Sequence, residues 1–194
     1  RASQRFQVML VEAATDGTTE VPMTGAEFKH FLDAAANADS EEKQQSIFKA
    51  LALAKASDGS DIDASLTEFA TTSTQMLPEV REAMIREVMA KRANSSMAPV
   101  LLNFARTSPD VRSALAAMQV FRTVAGDAHF ESLLDVVQFS PKADLRADAE
   151  DVATAILKKS SNRSGLAKLV VKALAATTDK KTREPLLRLQ AAGR

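Results

Sequence analysis

Cysteine is absent from this 194-residue chain, so disulfides, thiolate metal sites and cysteine nucleophiles are all excluded. The absence assigns no compartment, because reducing and oxidising surroundings both tolerate a chain without thiols. Tryptophan and tyrosine are missing too, which removes the usual groups that stack on single-stranded nucleic acid. Glycine and proline number six each, and with abundant alanine this profile suits helix–helix packing and gives a β-sheet little support. No stretch approaches the ~18 consecutive apolar residues of a membrane span, and no signal peptide is present in the chain as given. The chain opens on Arg1 instead of Met, which suggests that an upstream segment was removed; cytoplasmic and exported locations both stay open.

What is present is regular. Phe69, Phe104, Phe139 and Leu174 stand 35 positions apart, and three residues ahead of each lies Leu66, Leu101, Val136 or Val171. A fixed period of this size is the signature of stacked repeats, in which one supersecondary unit recurs and buries its apolar face on its neighbours. The eight residues are the expected structural core. Formal net charge is zero but unevenly spread: residues 1–77 carry 6 Lys/Arg against 12 Asp/Glu, and residues 78–194 carry 19 against 13. That asymmetry suggests an acidic partner near the C-terminal end, or head-to-tail self-association of copies, with a solvated surface that meets no partner as the alternative.

Caps and breakers divide the chain. Ser3 caps a predicted helix over 3–15 with Phe6, Met9, Leu10 and Ala13 on one stripe, a short strand being the rival reading. Asp16-Gly17 breaks it, and Thr18–Met23 reads as a loop. Thr24 and Glu27 have capping-box spacing ahead of a helix over 25–37. Further helices are predicted over 41–56, 62–74, 78–92, 97–107, 109–124, 128–139, 142–159, 165–177 and 180–192, with Asp61 as a cap and Pro78 and Pro99 in first turns. Each repeat is a hairpin of two short helices, and the second helices keep the 35-residue register.

The first helices carry their own marker: Pro78-Glu79-Val80-Arg81, Pro109-Asp110-Val111-Arg112, Pro141 followed by Asp144-Leu145-Arg146, and Thr182-Arg183. This pattern resembles the HEAT repeat, with a clear match over 40–194 and a weaker one over 24–39. The resemblance implies an all-α fold, an α-solenoid of stacked antiparallel hairpins with right-handed superhelical twist and about ten to eleven helices. It sets residues 1–23 apart as an N-terminal helix or extension plus loop, ahead of a repeat domain over 24–194. It also implies that Arg81, Arg112, Arg146 and Arg183 bridge adjacent repeats through loop carbonyls or acids. Armadillo-like arrangements remain an alternative.

Reactive groups are sparse. His30 and His129 fall in different repeats and are not expected to share a site. No nucleophile elbow, phosphate-binding glycine loop or His-Glu-x-x-His helix occurs. Asp58-Gly59-Ser60-Asp61-Ile62-Asp63 fails as a calcium loop, because its sixth and twelfth positions are Asp63 and Phe69; a turn followed by a helix cap explains it. Asp144, Asp148 and Asp151 share a helix face with Glu150 beside them, which reads as a solvated acidic face. No catalytic residue, metal or cofactor is expected.

With Leu66, Phe69, Ala70 and Ser73 as the buried stripe, Glu68, Asn103 and Gln138 fall on the opposite side, with Thr71 and Arg106 beside them. Lys168 and Lys172 continue that side. The HEAT resemblance implies that second helices line the concave face, so these seven residues are the candidate partner-binding row. Leu102, Leu134, Val137 and Leu169 also point off the stripe and either pack on first helices or form an apolar patch. The expected function is a non-catalytic scaffold holding a protein or peptide. Nucleic-acid binding through the basic C-terminal end is opposed by the acidic first 77 residues. A bilin-lyase-like activity rests on the HEAT resemblance alone.

Overall fold

The computed structural model describes residues 2–15 and 19–193, and among these the protein is all-α apart from two three-residue strands. The expected cap at Ser3, the Ala13 side chain, and the Asp16-Gly17 break with Thr18 lie outside what is described. The chain forms two compact units, Arg1–Ala93 and Asn94–Arg194, whereas the sequence reading divides it at 23/24.

The first unit contains α1 (Ala2–Thr15), β1 (Val21–Met23), α2 (Gly25–Ala36), α3 (Glu41–Leu53), β2 (Ala54–Ala56) and α4 (Ile62–Thr72). It closes with α5, a rod over 78–92. Residues 3–15 are therefore helix and not strand. Thr24 makes the capping box: its Oγ1 accepts from the Glu27 N–H at 3.2 Å, and its own N–H donates to Glu27 Oε2 at 2.8 Å. Helix α3 lies at the centre, touching α1, α2 and α5. Phe28, Phe31 and Leu32 from α2, Ile47, Phe48 and Leu51 from α3, Leu66 from α4, and Met84, Ile85, Val88 and Met89 from α5 are all buried. The middle of α5, Met84–Met89, is wound as a π-helix, with the Ala90 N–H donating to the Ile85 carbonyl. Such wide turns are rare and mark one inserted residue in a helix.

Two expectations fail here. Val21–Met23 is a strand, not loop, and the helix expected over 41–56 ends at Leu53 because Ala54–Ala56 pairs in parallel with β1. Val21 and Met23 are buried and Pro22 between them is exposed, as alternation along a strand requires. The Ser57 N–H extends the pair to the Met23 carbonyl at 2.9 Å.

The turn after β2 locks onto the start of α2. The Asp58 carboxylate accepts from the Gly25 N–H at 2.9 Å and from Ser60 Oγ at 2.6 Å. A Cβ on Gly25 would stand 2.8 Å from Ser60 Oγ, so glycine is what admits this approach. Gly59 takes a φ of 76°, open to glycine at little cost. The Ser60 hydroxyl first, then the Gly25 and Ser60 amides, hold the Asp58 carboxyl down from 3.8 to about 2. A depressed carboxylate supports the fold above its unfolded value and ceases to as pH falls through the folded one. The Asp58 carboxyl carbon, followed by NMR, is expected to titrate near 2, and the Gly25 amide shift to move with it. Titration of both near 4 would show that the clasp does not form.

The second unit is more regular. It contains α6 (Ala98–Thr107), α7 (Val111–Val124), α8 (Phe130–Phe139), α9 (Ala143–Lys159), α10 (Arg163–Ala176) and α11 (Lys180–Ala192). Short 3-10 turns at Ser95–Met97 and Asp127–His129 lead into α6 and α8. That makes eleven helices among the described residues. The most extensive packing is of α6 on α7 and of α8 on α9, each a second helix with the first helix that follows it, and α10 packs less extensively on α11. Helices α7, α9 and α11 pack in succession, and α8 touches α10. Asp110 and Asp179 cap α7 and α11, accepting from the Ser113 and Thr182 amides at 2.8 Å each.

Candidate partner-binding surface

Three of the four marker arginines act on backbone. Arg81 Nη2 donates to the Ser73 carbonyl, Arg146 Nη1 to the Ser140 carbonyl at 2.7 Å, and Arg183 Nη1 to the Leu174 and Thr177 carbonyls at 2.8 and 2.7 Å. Each ties down the orphan carbonyls at the end of the preceding helix, groups that would otherwise need water. Burial works to raise the Asp110 pKa, but the Ser113 hydroxyl and amide, with Arg112 beside them, together hold its carboxyl below the ordinary value.

Within 94–194, polar contacts recur at about one repeat of separation. Lys142 Nζ donates to the Ser108 carbonyl, Thr177 Oγ1 to Gln138 Oε1 at 3.0 Å, and Arg188 grips Glu150 through two bonds of 2.6 and 2.8 Å. Burial lowers the Lys142 pKa, with Asp110 pulling the other way.

These contacts settle several candidates. Gln138 is a half-buried link, donating also to the Leu134 carbonyl at 3.1 Å. Thr71 is half-buried and back-bonds to the Thr67 carbonyl at 2.7 Å. Glu68, Asn103, Arg106, Lys168 and Lys172 are exposed. Lys172 reaches Glu131 at 3.8 Å. Leu102, Leu134 and Val137 are buried, and Leu169 is half-buried. Of the acidic row, Glu150 is held by Arg188, and Asp151 lies 3.7 Å from Arg122.

The ladder needs correction. Leu66, Leu101, Val136, Phe104 and Leu174 are buried and Phe69 half-buried, but Phe139 is 71% exposed and Val171 49% exposed. Proline is the cause at Phe139. Pro109 stands five residues after Phe104, and α6 continues for three residues beyond that ring. Pro141 stands two residues after Phe139 and disfavours helix at Ser140, so α8 ends on the phenylalanine itself and no further turn covers it. Val171 lies on the outer side of α10, the last of the second helices, between the exposed Lys168 and Lys172.

The exposed ring lines a groove of about 330 Å³ with Arg106 of α6, Asp135 and Val136 of α8, and Ser140-Pro141. In the first unit a groove of about 370 Å³ runs between α2 and α4, lined by Lys29, Leu32, Glu68, Phe69 and the residues after α4. No family model, curated protein or solved structure matches the chain. The local geometry therefore carries the functional reading.

His30 is exposed with its ring edge-on to Phe6, and His129 Nδ1 accepts from the Gly126 N–H at 3.2 Å, one histidine in each unit. No group of three metal-ligating side chains occurs among the described residues. No helix among them is long and apolar enough to cross a membrane.

Sequence reasoning missed Arg92. Its Nε pairs with Asp63 at 2.6 Å, its Nη1 donates to the Ala54 and Leu51 carbonyls at 2.6 and 3.2 Å, and its guanidinium lies 5.8 Å from the Phe28 ring centre. The only sequence signal was a cation in the last turn of a helix, which is too common to single it out.

Proposed function

We propose that this chain is a non-catalytic interaction scaffold of HEAT-like, right-handed solenoid type, binding a protein or peptide along its second helices. The single observation that carries this reading is Phe139. A large ring left in water at a repeat position, in a groove between consecutive second helices, is a surface that folding alone does not require. The succession of α7, α9 and α11, and polar contacts at repeat separation, support the solenoid part of the proposal. Asn103, Arg106, Lys168 and Lys172 belong to this binding face.

A photo-cross-linking residue at Asn103 tests it. In native extract it is expected to capture a discrete partner that the same residue at Lys158, exposed on the first-helix layer, does not capture. Equal labelling from both positions, or none from Asn103, would sink the scaffold reading.

A further inference from the structure

The two grooves share one chemical plan although they lie in different units. Phe69 and Phe139 are two periods apart in the ladder, and each forms the apolar wall of its groove. The preceding helix of the same layer supplies a cation in each case, Lys29 from α2 and Arg106 from α6. The phenylalanine's own helix supplies an acid, Glu68 or Asp135. All four charged side chains are exposed, and none has an ion-pair partner among the described residues. Elsewhere the surface does pair its charges, as in Arg86–Glu82 at 2.9 Å and Lys55–Glu20 at 2.6 Å. An open cation and an open anion beside an aromatic wall occur in both grooves, although at different positions of the repeat, and complement one kind of occupant.

We propose that each groove seats a short linear peptide segment carrying one large apolar side chain flanked by an acidic residue and a basic residue. This rests on the scaffold reading above and specifies its partner. The apolar side chain covers the phenyl ring, which the fold leaves 71% exposed at Phe139 and partly exposed at Phe69. The peptide acid meets Lys29 or Arg106, and the peptide base meets Glu68 or Asp135. Rim charges of this kind contribute mainly selectivity, and the ring supplies the anchor.

Selection of random dodecapeptides displayed on phage, with the intact chain as bait, tests the proposal. The enriched sequences are expected to combine a large apolar residue with one acid and one base within a few positions. Glu68→Lys with Asp135→Lys makes both rims wholly cationic at exposed sites, and the enriched peptides are expected to exchange their base for a second acid. Lys29→Glu with Arg106→Glu is expected to select two bases. A synthetic peptide of the original consensus is expected to bind either double variant about tenfold more weakly, and Phe139→Ser is expected to weaken binding at the second groove by a similar factor.

Enriched peptides that ignore these substitutions would overturn the proposal and leave the scaffold reading standing. So would a selection that enriches nothing, because the cross-link from Asn103 reports on the scaffold reading by itself.

Discussion

Arg92→Met is expected to destabilise residues 1–93 by about 1.5–3 kcal/mol, the range for hydrogen bonds to a charged group, since Asp63 is 31% exposed. The guanidinium is only 11% exposed, and it serves four elements at once. Its loss removes the guanidinium from the Asp63 carboxylate and from the Ala54 carbonyl at the joint of α3 and β2, and leaves the Leu51 carbonyl with the Ala54 N–H. Methionine keeps much of the volume over Phe28, so the measured loss is mostly electrostatic. Arg86→Met is the control. That arginine is 40% exposed and pairs with Glu82 one turn away, an arrangement worth about 0.3–0.5 kcal/mol. Urea denaturation of both variants makes the comparison. A loss below about 1 kcal/mol for Arg92→Met would show that the α3–β2 joint is held by other contacts.

Two rungs of the same ladder are expected to respond very differently to truncation. Phe104→Ala is expected to cost about 3–5 kcal/mol, from lost burial and the cavity left behind. Phe139→Ala is expected to fall within about 0.5 kcal/mol, as exposed substitutions usually do. Phe104 is 6% exposed and Phe139 71%, and the sequence period makes them equivalent. Thermal melts of the two variants separate position in the repeat from position in the core. Equal losses would mean that the Phe139 ring is covered in solution.

The helices were legible because their ends are written locally. Thr24 with Glu27, Asp61, Pro78, Asp110 and Asp179 act within three residues of themselves, and the predicted boundaries near them hold to within about two residues. The strands were not legible. Val21 pairs with Ala54, 33 positions further along the chain, and three residues are too few for alternation to show. The π turn left no mark either, since its apolar residues suit an α-helix equally well. For the candidate surface, residue spacing placed Asn103, Arg106, Lys168 and Lys172 outward, where they are. It could not place Gln138, whose side-chain oxygen is taken up by Thr177, 39 residues further on. Nor did the period reveal the wet ring of Phe139, because that depends on where Pro141 stops the helix. Lys29 and Asp135, which complete the two grooves, carry no sequence signal apart from being ordinary surface charges.

Arg81 and Arg92 fasten α5 near both its ends, one to the carbonyl of Ser73 and the other to the exit of α3. A rod pinned twice cannot slide or rotate to absorb a change in its own length. The wide turn at Met84–Met89 takes up the surplus between the pins, holding one residue more than regular winding would. Each residue of ordinary helix turns the rod by about 100°, so without that reservoir Arg92 would aim away from the backbone it clasps. The wide turn thus sets, from within the helix itself, the rotation that lets both arginines reach their carbonyls.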